Sequence, residues 1–415
     1  MKLISFLYLL VLYTLLFVQH VPTMYRSTFP IFPIVITFFA LWFNREHLFE
    51  VLKEQKKILF LSAIITFFLS TLFVIRWDIE LYGMWDSWAN WSLKSKSITY
   101  EYINNGKVSL PVMASIHPEY PIGLPIFVTL IGIMLSDWLI EILYFISILC
   151  TFFIVFSFLD RIKQKTLALI GLALLYSNLK FFQISTDLCA ELPLSLILLI
   201  SISSAHSIKP KKLLDVFLLG ICISLPIIIK TEGILFFIIT FLYAVFILLH
   251  KTRNLQIIKS VLSLVVGTTL PFLFILFTPK LSNGFGNVDF KFAILLEPAE
   301  LSNALTTRIP SIITYSYQFH FKQMYGLFLV SMISLFISKK LRLVGIGFSL
   351  LILISGYNII YVFSIQDITW HLATSYARIN IVLLPVSIYA LLLSYRVFLR
   401  RVVFFIRNIN SQIGK

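Results

Sequence analysis

Residues 139–176 read LIEILYFISILCTFFIVFSFLDRIKQKTLALIGLALLY. The apolar run 139–159 stops at Asp160-Arg161-Ile162-Lys163-Gln164-Lys165, and a second apolar run, 166–184, starts at once. A bilayer crossing needs roughly 17–25 apolar residues in an α-helix. Two such runs joined by a basic turn predict a helical hairpin through a membrane. The turn belongs on the cytoplasmic side, where Lys and Arg accumulate.

The same pattern extends in both directions, at 3–19, 29–43, 58–75, 188–205, 213–229, 233–249, 257–277, 324–338, 343–363 and 378–395. The expected fold is an all-α polytopic bundle of about 12 spans. Composition agrees: 59% of the 415 residues are hydrophobic and 13% charged, and the mean hydropathy is +0.93. Ordinary globular domains run at roughly 45–50% and about 25%. A soluble enzyme, a secreted module and a disordered scaffold are thereby excluded.

A net charge of +15 in a soluble protein would point to nucleic acid. Here the basic residues form short clusters between apolar runs, so the expected partner is membrane lipid and no nucleic acid. Cys150, Cys189 and Cys222 lie within or beside apolar runs, too isolated for a disulfide framework or a metal site. Residues 3–18 lack a small-x-small cleavage site and read as a retained first helix. No P-loop, G-x-G-x-x-G, H-E-x-x-H or serine-nucleophile motif occurs.

Topology turns on the short run 122–135, which follows His117-Pro118-Glu119-Tyr120-Pro121. If it dips in and returns and the N-terminus is cytoplasmic, 22 of the 34 Lys and Arg lie on the inner side. Only five of the 19 acidic residues join them: Glu46, Glu50, Glu54, Asp160 and, at the start of the next span, Asp215. If it crossed, Arg161 and Lys163 would face outward and every later loop would invert, against the positive-inside bias. The expected location is therefore the cell membrane, with both termini cytoplasmic. Asp86, Glu119, Asp187, Glu191, Glu232, Asp367, His371 and Arg378 then share the extracytoplasmic side.

The expected organisation is as follows: N-terminal spans over 1–75, an outer loop with interfacial helices over 76–121, and a membrane core over 122–277. A second outer loop covers 278–322 and reads as a lid, followed by C-terminal spans over 323–395 and a basic cytoplasmic tail over 396–415.

Within the first loop, residues 82–96 (YGMWDSWANWSLKSK) predict a helix lying in the membrane interface. Asp86, Asn90 and Lys94 recur every four residues and share one face. Trp85, Trp88 and Trp91 lie on another side, suited to the headgroup zone. Asp86 reads either as a solvated acid in an aromatic belt or as a general base, its pKa raised by apolar neighbours. Lys94 and Lys96 suit a lipid phosphate at headgroup height.

Trp85-Asp86-Ser87-Trp88, Trp91 to Lys96, and His117-Pro118-Glu119-Tyr120-Pro121 together resemble the multi-pass bacterial enzymes of the GT-C glycosyltransferase superfamily. The nearest group in pattern is that of the protein mannosyltransferases and aminoarabinose transferases. Thr186-Asp187-Leu188-Cys189-Ala190-Glu191-Leu192-Pro193, Lys230-Thr231-Glu232-Gly233, and Trp370-His371 through Arg378 follow in the same order, so the resemblance covers about residues 77–385. It implies a first outer loop with in-plane helices, and an acid at Asp86 that deprotonates the acceptor. It also implies a sugar donor on a polyprenyl phosphate and transfer with inversion. By the same resemblance, His117 and Glu119 match the histidine-proline element of protein mannosyltransferases, and Asp187 matches the acid opening a later outer segment. The acceptor would be an envelope glycan, lipid or protein. Two spans more than many relatives have precede the motif loop.

The remaining residues each carry two readings. Asp187 and Glu191, four apart, are expected on one helix face, where they orient sugar hydroxyls or share a divalent cation, Mg²⁺ or Mn²⁺. Glu232 marks either a tight outer turn hinged at Gly233 or one half of a Lys–Glu pair facing a cavity. His371 and Arg378, seven apart, either clamp the donor phosphate or anchor the helix at the interface with Trp370. Two other classes of function remain beside the glycosyltransferase: a transporter or flippase for a lipid-linked or anionic envelope precursor, and a polysaccharide polymerase or ligase.

The topology is testable directly. In a background lacking the three cysteines, Lys163→Cys should react with an impermeant maleimide only after the cytoplasmic face is opened. Labelling of intact cells at this position would invert the topology.

Overall fold

The computed structural model describes residues 45–77, 91–98, 121–129 apart from 122 and 126, 139–252 apart from 163, 255–277, 291–338 apart from 325, and 340–413. Among them the fold is helical, with no strand. Five helices are long and apolar enough to cross a membrane, or up to seven if each of two bent pairs counts as one span. The expected spans at 3–19 and 29–43 lie outside the described residues. That at 324–338 is an 11-residue helix, too short to cross alone. Those at 188–205 and 213–229 also fall in the shorter class.

The chain forms two compact units. Described residues of the first come from Met1–Phe156 and Gln183–Asp289. They include α1 (Arg45–Trp77), most of α2 (Leu139–Arg161), and the end of α4 (Leu179–Thr186). Beyond these come α5 (Glu191–Ser207), α6 (Leu213–Ser224), α7 (Pro226–Ile229), α8 (Gly233–Lys251) and α9 (Leu255–Phe277). α5 is buried on all sides, from Leu192 and Leu194 through Ala205, serines included. A helix apolar all round has no solvent face and must be surrounded. Its C-terminus is closed by Lys251, whose Nζ donates to the carbonyls of His206 and Ile208 at 2.8 Å each, a cation on the negative end of the helix dipole.

α6 and α9 make the most extensive helix contact among the described residues, and glycine is the reason. A Cβ at Gly220 would lie 2.3 Å from the Leu264 carbonyl oxygen, and one at Gly267 would lie 2.1 Å from that of Phe217. Small residues let backbones approach closely where burial gives no preference for one apolar surface over another.

The second unit comprises Ser157–Phe182 and Phe290–Lys415. It holds α3 (Lys165–Tyr176), α10 (Pro298–Tyr317), α11 (Leu327–Ile337) and α12 (Leu341–Val362), then α13 (Ile368–His371), α14 (Ala377–Ile381) and α15 (Leu384–Ile413). α3 and α4 meet at a 78° bend, where the Asn178 side chain accepts the Phe181 N–H at 3.0 Å and caps the new helix. Of the outer segment expected over 278–322, the described part is helical, with α10 running 20 residues. Pro298 in its first turn and Glu300 beside it form a favourable start. Its low hydrophobicity and internal Pro310 conceal it from a search for apolar runs.

Substitution of Gly267 by Ala should cost about 1–3 kcal/mol, because the new methyl meets backbone. Gly347→Ala, whose Cβ would find side-chain carbons at 3.5–3.6 Å, should be near neutral. Unfolding curves in detergent compare the two.

Candidate functional site

The first unit brings Glu191, Lys230 and Glu232 together. α5 starts at Glu191, a favourable place for an acid, with Pro193 in the first turn, where its missing N–H costs no bond. α7 ends at Ile229, and Lys230 takes an extended backbone. A tight turn follows, closed by Gly233 N–H to the Lys230 carbonyl at 2.9 Å. Only glycine fits at its end, since a Cβ at Gly233 would stand 2.0 Å from the Pro226 carbonyl oxygen. This turn aims Lys230 at α5: its Nζ lies 2.9 Å from Glu191 Oε1 and 3.5 Å from Glu232 Oε1. Thr231 Oγ1 donates to Glu232 Oε2 at 3.1 Å. Glu191 and Lys230 are 2% and 3% exposed, so the pair is shielded from water. Both readings of residues 230–233, tight turn and Lys–Glu pair, describe the same geometry.

Asp187 is equally buried, at 2% exposure, but it does not share a helix face with Glu191. α4 ends at Thr186 and α5 begins at Glu191. Between them Leu188 takes a left-handed backbone at φ +58°, which no helix tolerates and which strains a branched side chain. The four-residue spacing is therefore a turn. Among the described residues no three His, Cys, Asp or Glu side chains group to hold a metal ion, and the cation beside Glu191 is the Lys230 ammonium.

Asp86, His117 and Glu119 lie outside the described residues. Of the interfacial helix expected over 82–96, the described residues begin at 91, and 91–98 are helical. Trp91, expected in the headgroup zone, is buried, at 2% exposure. The cause is tertiary packing: Ser95 Oγ donates to the Pro125 carbonyl at 3.1 Å, and Thr129 Oγ1 donates to that of Ser95 at 3.1 Å. Lys94 is also buried, whereas Lys96 is exposed. Residues 123–125 and 127–129 are helical, and a Cβ at Gly123 would lie 2.4 Å from the Ile228 carbonyl oxygen. Lys94 and Lys230 thus belong to one connected set of elements.

His371 and Arg378 belong to the second unit. The stretch between them is not one α-helix: α13 passes into a π-turn over Leu372–Tyr376 before α14, so a seven-residue spacing no longer means two turns. His371 is buried, its Nδ1 2.7 Å from Ser364 Oγ and its ring 5.1 Å from that of Tyr361. Arg378 is half-buried. Asp367 caps α13, accepting from Thr369 Oγ1 and from the Trp370 N–H, and these bonds hold its carboxyl below the usual carboxylate range.

Two residues carry no signal in the sequence. Arg308 reaches from α10 to the carbonyls of Val362 and Ser364. His320 sits in a second π-turn, Gln318–Gln323, its ring 5.1 Å from those of Phe319 and Phe328. Burial pushes its imidazole down to about 4.

No protein-family model, curated protein or solved structure matches this chain. The glycosyltransferase resemblance rests on its motif residues.

Lys230→Met should destabilise the fold by about 3–5 kcal/mol, because it leaves Glu191 buried beside an apolar group. The double variant Lys230→Met, Glu191→Leu should recover most of that loss. Unfolding monitored by intrinsic fluorescence reads both. A single variant as stable as the parent would mean that Glu191 is not ionised there.

Proposed function

We propose that this chain is an integral-membrane glycosyltransferase of about 12 spans, moving a sugar from a polyprenyl-phosphate-linked donor to an envelope acceptor. The reaction takes place on the extracytoplasmic face of the cell membrane. The observation that carries the reading is the buried Glu191–Lys230–Glu232 cluster, formed where helices stop short in a chain of otherwise apolar walls. Ionisable groups inside such a protein are costly and usually functional. Carboxylates held by an ammonium accept hydrogen bonds from sugar hydroxyls, and Asp187 adds a further acid to the same end of α5.

In this mechanism Asp86 takes the proton of the acceptor hydroxyl. The freed oxygen attacks the anomeric carbon from the face opposite the phosphate, and the C–O bond to phosphate breaks with its electron pair leaving on the lipid phosphate. Configuration inverts. Lys94 and Lys96 are assigned to the departing phosphate, and His117 and Glu119 to the acceptor side.

One observation favours a second reading. The helices break at Pro226 and at the 78° bend between α3 and α4, and helices interrupted beside charged residues are a feature of transporters. A transporter or flippase for a lipid-linked precursor would move its cargo intact.

Purified protein in liposomes, supplied with a panel of polyprenyl-phosphate sugars, separates the two. Release of free polyprenyl phosphate together with a glycosylated acceptor is expected, and Asp86→Asn should lower its rate by about 10²–10⁴ while leaving donor binding intact. Transfer at the parental rate would remove Asp86 from the mechanism. Movement of intact donor across the bilayer with no transfer would establish the transporter.

A further inference from the structure

The first unit contains a cavity of about 160 Å³ whose wall carries no side-chain oxygen or nitrogen. Ile146 and Cys150 of α2 form one side, Leu196 and Ile197 of α5 a second, and Leu225 and Ile228 around the α6–α7 break a third. On this last side Gly123 sits close against the chain, where a Cβ would lie 2.4 Å from the Ile228 carbonyl oxygen.

Water does not fill such a space. A buried water needs two to four polar partners, and cavities of roughly 150 Å³ lined by Leu, Ile and Phe stay dry and accept small apolar molecules. Left empty, the wall forfeits dispersion contacts over its whole surface.

Two features of the wall say what enters. Most of its residues are buried, but Phe127, Leu149 and Phe153, and Pro193 at the start of α5, are half-buried; Leu149 and Phe153 lie on α2, so the opening runs beside that helix. That helix is long and apolar enough to cross a bilayer, and its neighbouring Phe145 is exposed, as a lipid-facing side chain would be. The opening therefore faces hydrocarbon. At the other end the wall reaches Pro193 and Ile229, which lie two residues from Glu191 and next to Lys230. An occupant would thus have an apolar segment inside α2, α5 and α6, and its polar end beside the ion cluster.

We infer that this cavity binds a segment of a lipid's hydrocarbon chain, drawn from the surrounding bilayer, with the polar end of that lipid at the Glu191–Lys230 pair. The cavity size corresponds to a segment on the order of six carbons. The inference rests on the membrane reading alone and stands whether or not the protein transfers sugar.

Photocrosslinking tests it. The full chain is reconstituted in nanodiscs containing a phospholipid with a diazirine in its acyl chain, or a polyprenyl phosphate with the same group in its isoprenoid chain. After irradiation, adducts are mapped by mass spectrometry. Adducts concentrated on Cys150, Leu196, Ile197 or Ile228 with either lipid are expected, and the lipid that gives them identifies the source. Leu149→Trp, which fills the opening from a half-exposed position, should reduce them at least tenfold while adducts at Phe145 persist. If that variant does not fold, the parental map decides alone. Adducts confined to exposed positions such as Phe145 would overturn the inference. Labelled cavity walls in a protein without transferase activity would overturn the proposed function and leave the inference intact, and the reverse pattern would do the opposite.

Discussion

A backbone placed in hydrocarbon has to satisfy its own hydrogen bonds, because no water is there to help. Within a helix this is automatic. At a helix end it is not, since the first four N–H and last four C=O groups have no partner in the helix. Much of what distinguishes this protein is done at such ends. Asn178 caps the helix that follows the sharpest bend, Asp367 caps α13, and Arg308 and Lys251 donate to carbonyls left open at Val362, Ser364, His206 and Ile208. These four polar side chains stand where the backbone runs out of internal bonds.

The Glu191–Lys230 pair extends the same logic to charge. Glu191 stands at the start of α5, where exposed N–H groups favour an anion, and Lys230 stands where α7 has ended. The pair is bonded at 2.9 Å and ties two interrupted helices. Removing water from two ions has a large cost that their attraction offsets only in good geometry. Replacing both with leucine would remove that cost, so the pair is retained at an expense that no surface charge carries.

How much of this was legible beforehand varies with the physics involved. Long apolar runs specify helices through composition alone, so 58–75, 139–159, 233–249, 257–277 and 343–363 all fall in the helices seen. Lys230 and Glu232 were legible as a charged turn because Gly233 follows them. Helix breaks were not, because they depend on individual conformations such as Leu188 at positive φ. Nor was the burial of Trp91 and Lys94, which depends on residues distant in the chain. α10 escaped because its sequence is neither apolar nor periodic enough, and the π-turns at 318–323 and 372–376 have no compositional mark at all.

The contrast between α1 and α5 carries a consequence for sequence change. The spanning window of α1 is only 22% buried, and Phe60, Phe67 and Phe68 stand well exposed. There a side chain need only be oily, and phenylalanine, leucine and isoleucine are interchangeable. α5 is enclosed along most of its length, its own Ser195, Ser201, Ser203 and Ser204 included, and has a charged partner at each end. Away from the cavity at Leu196 and Ile197 a side chain has little room to grow. Mutational tolerance in this protein should therefore follow how completely each helix is enclosed, with hydrophobicity a poor guide to it.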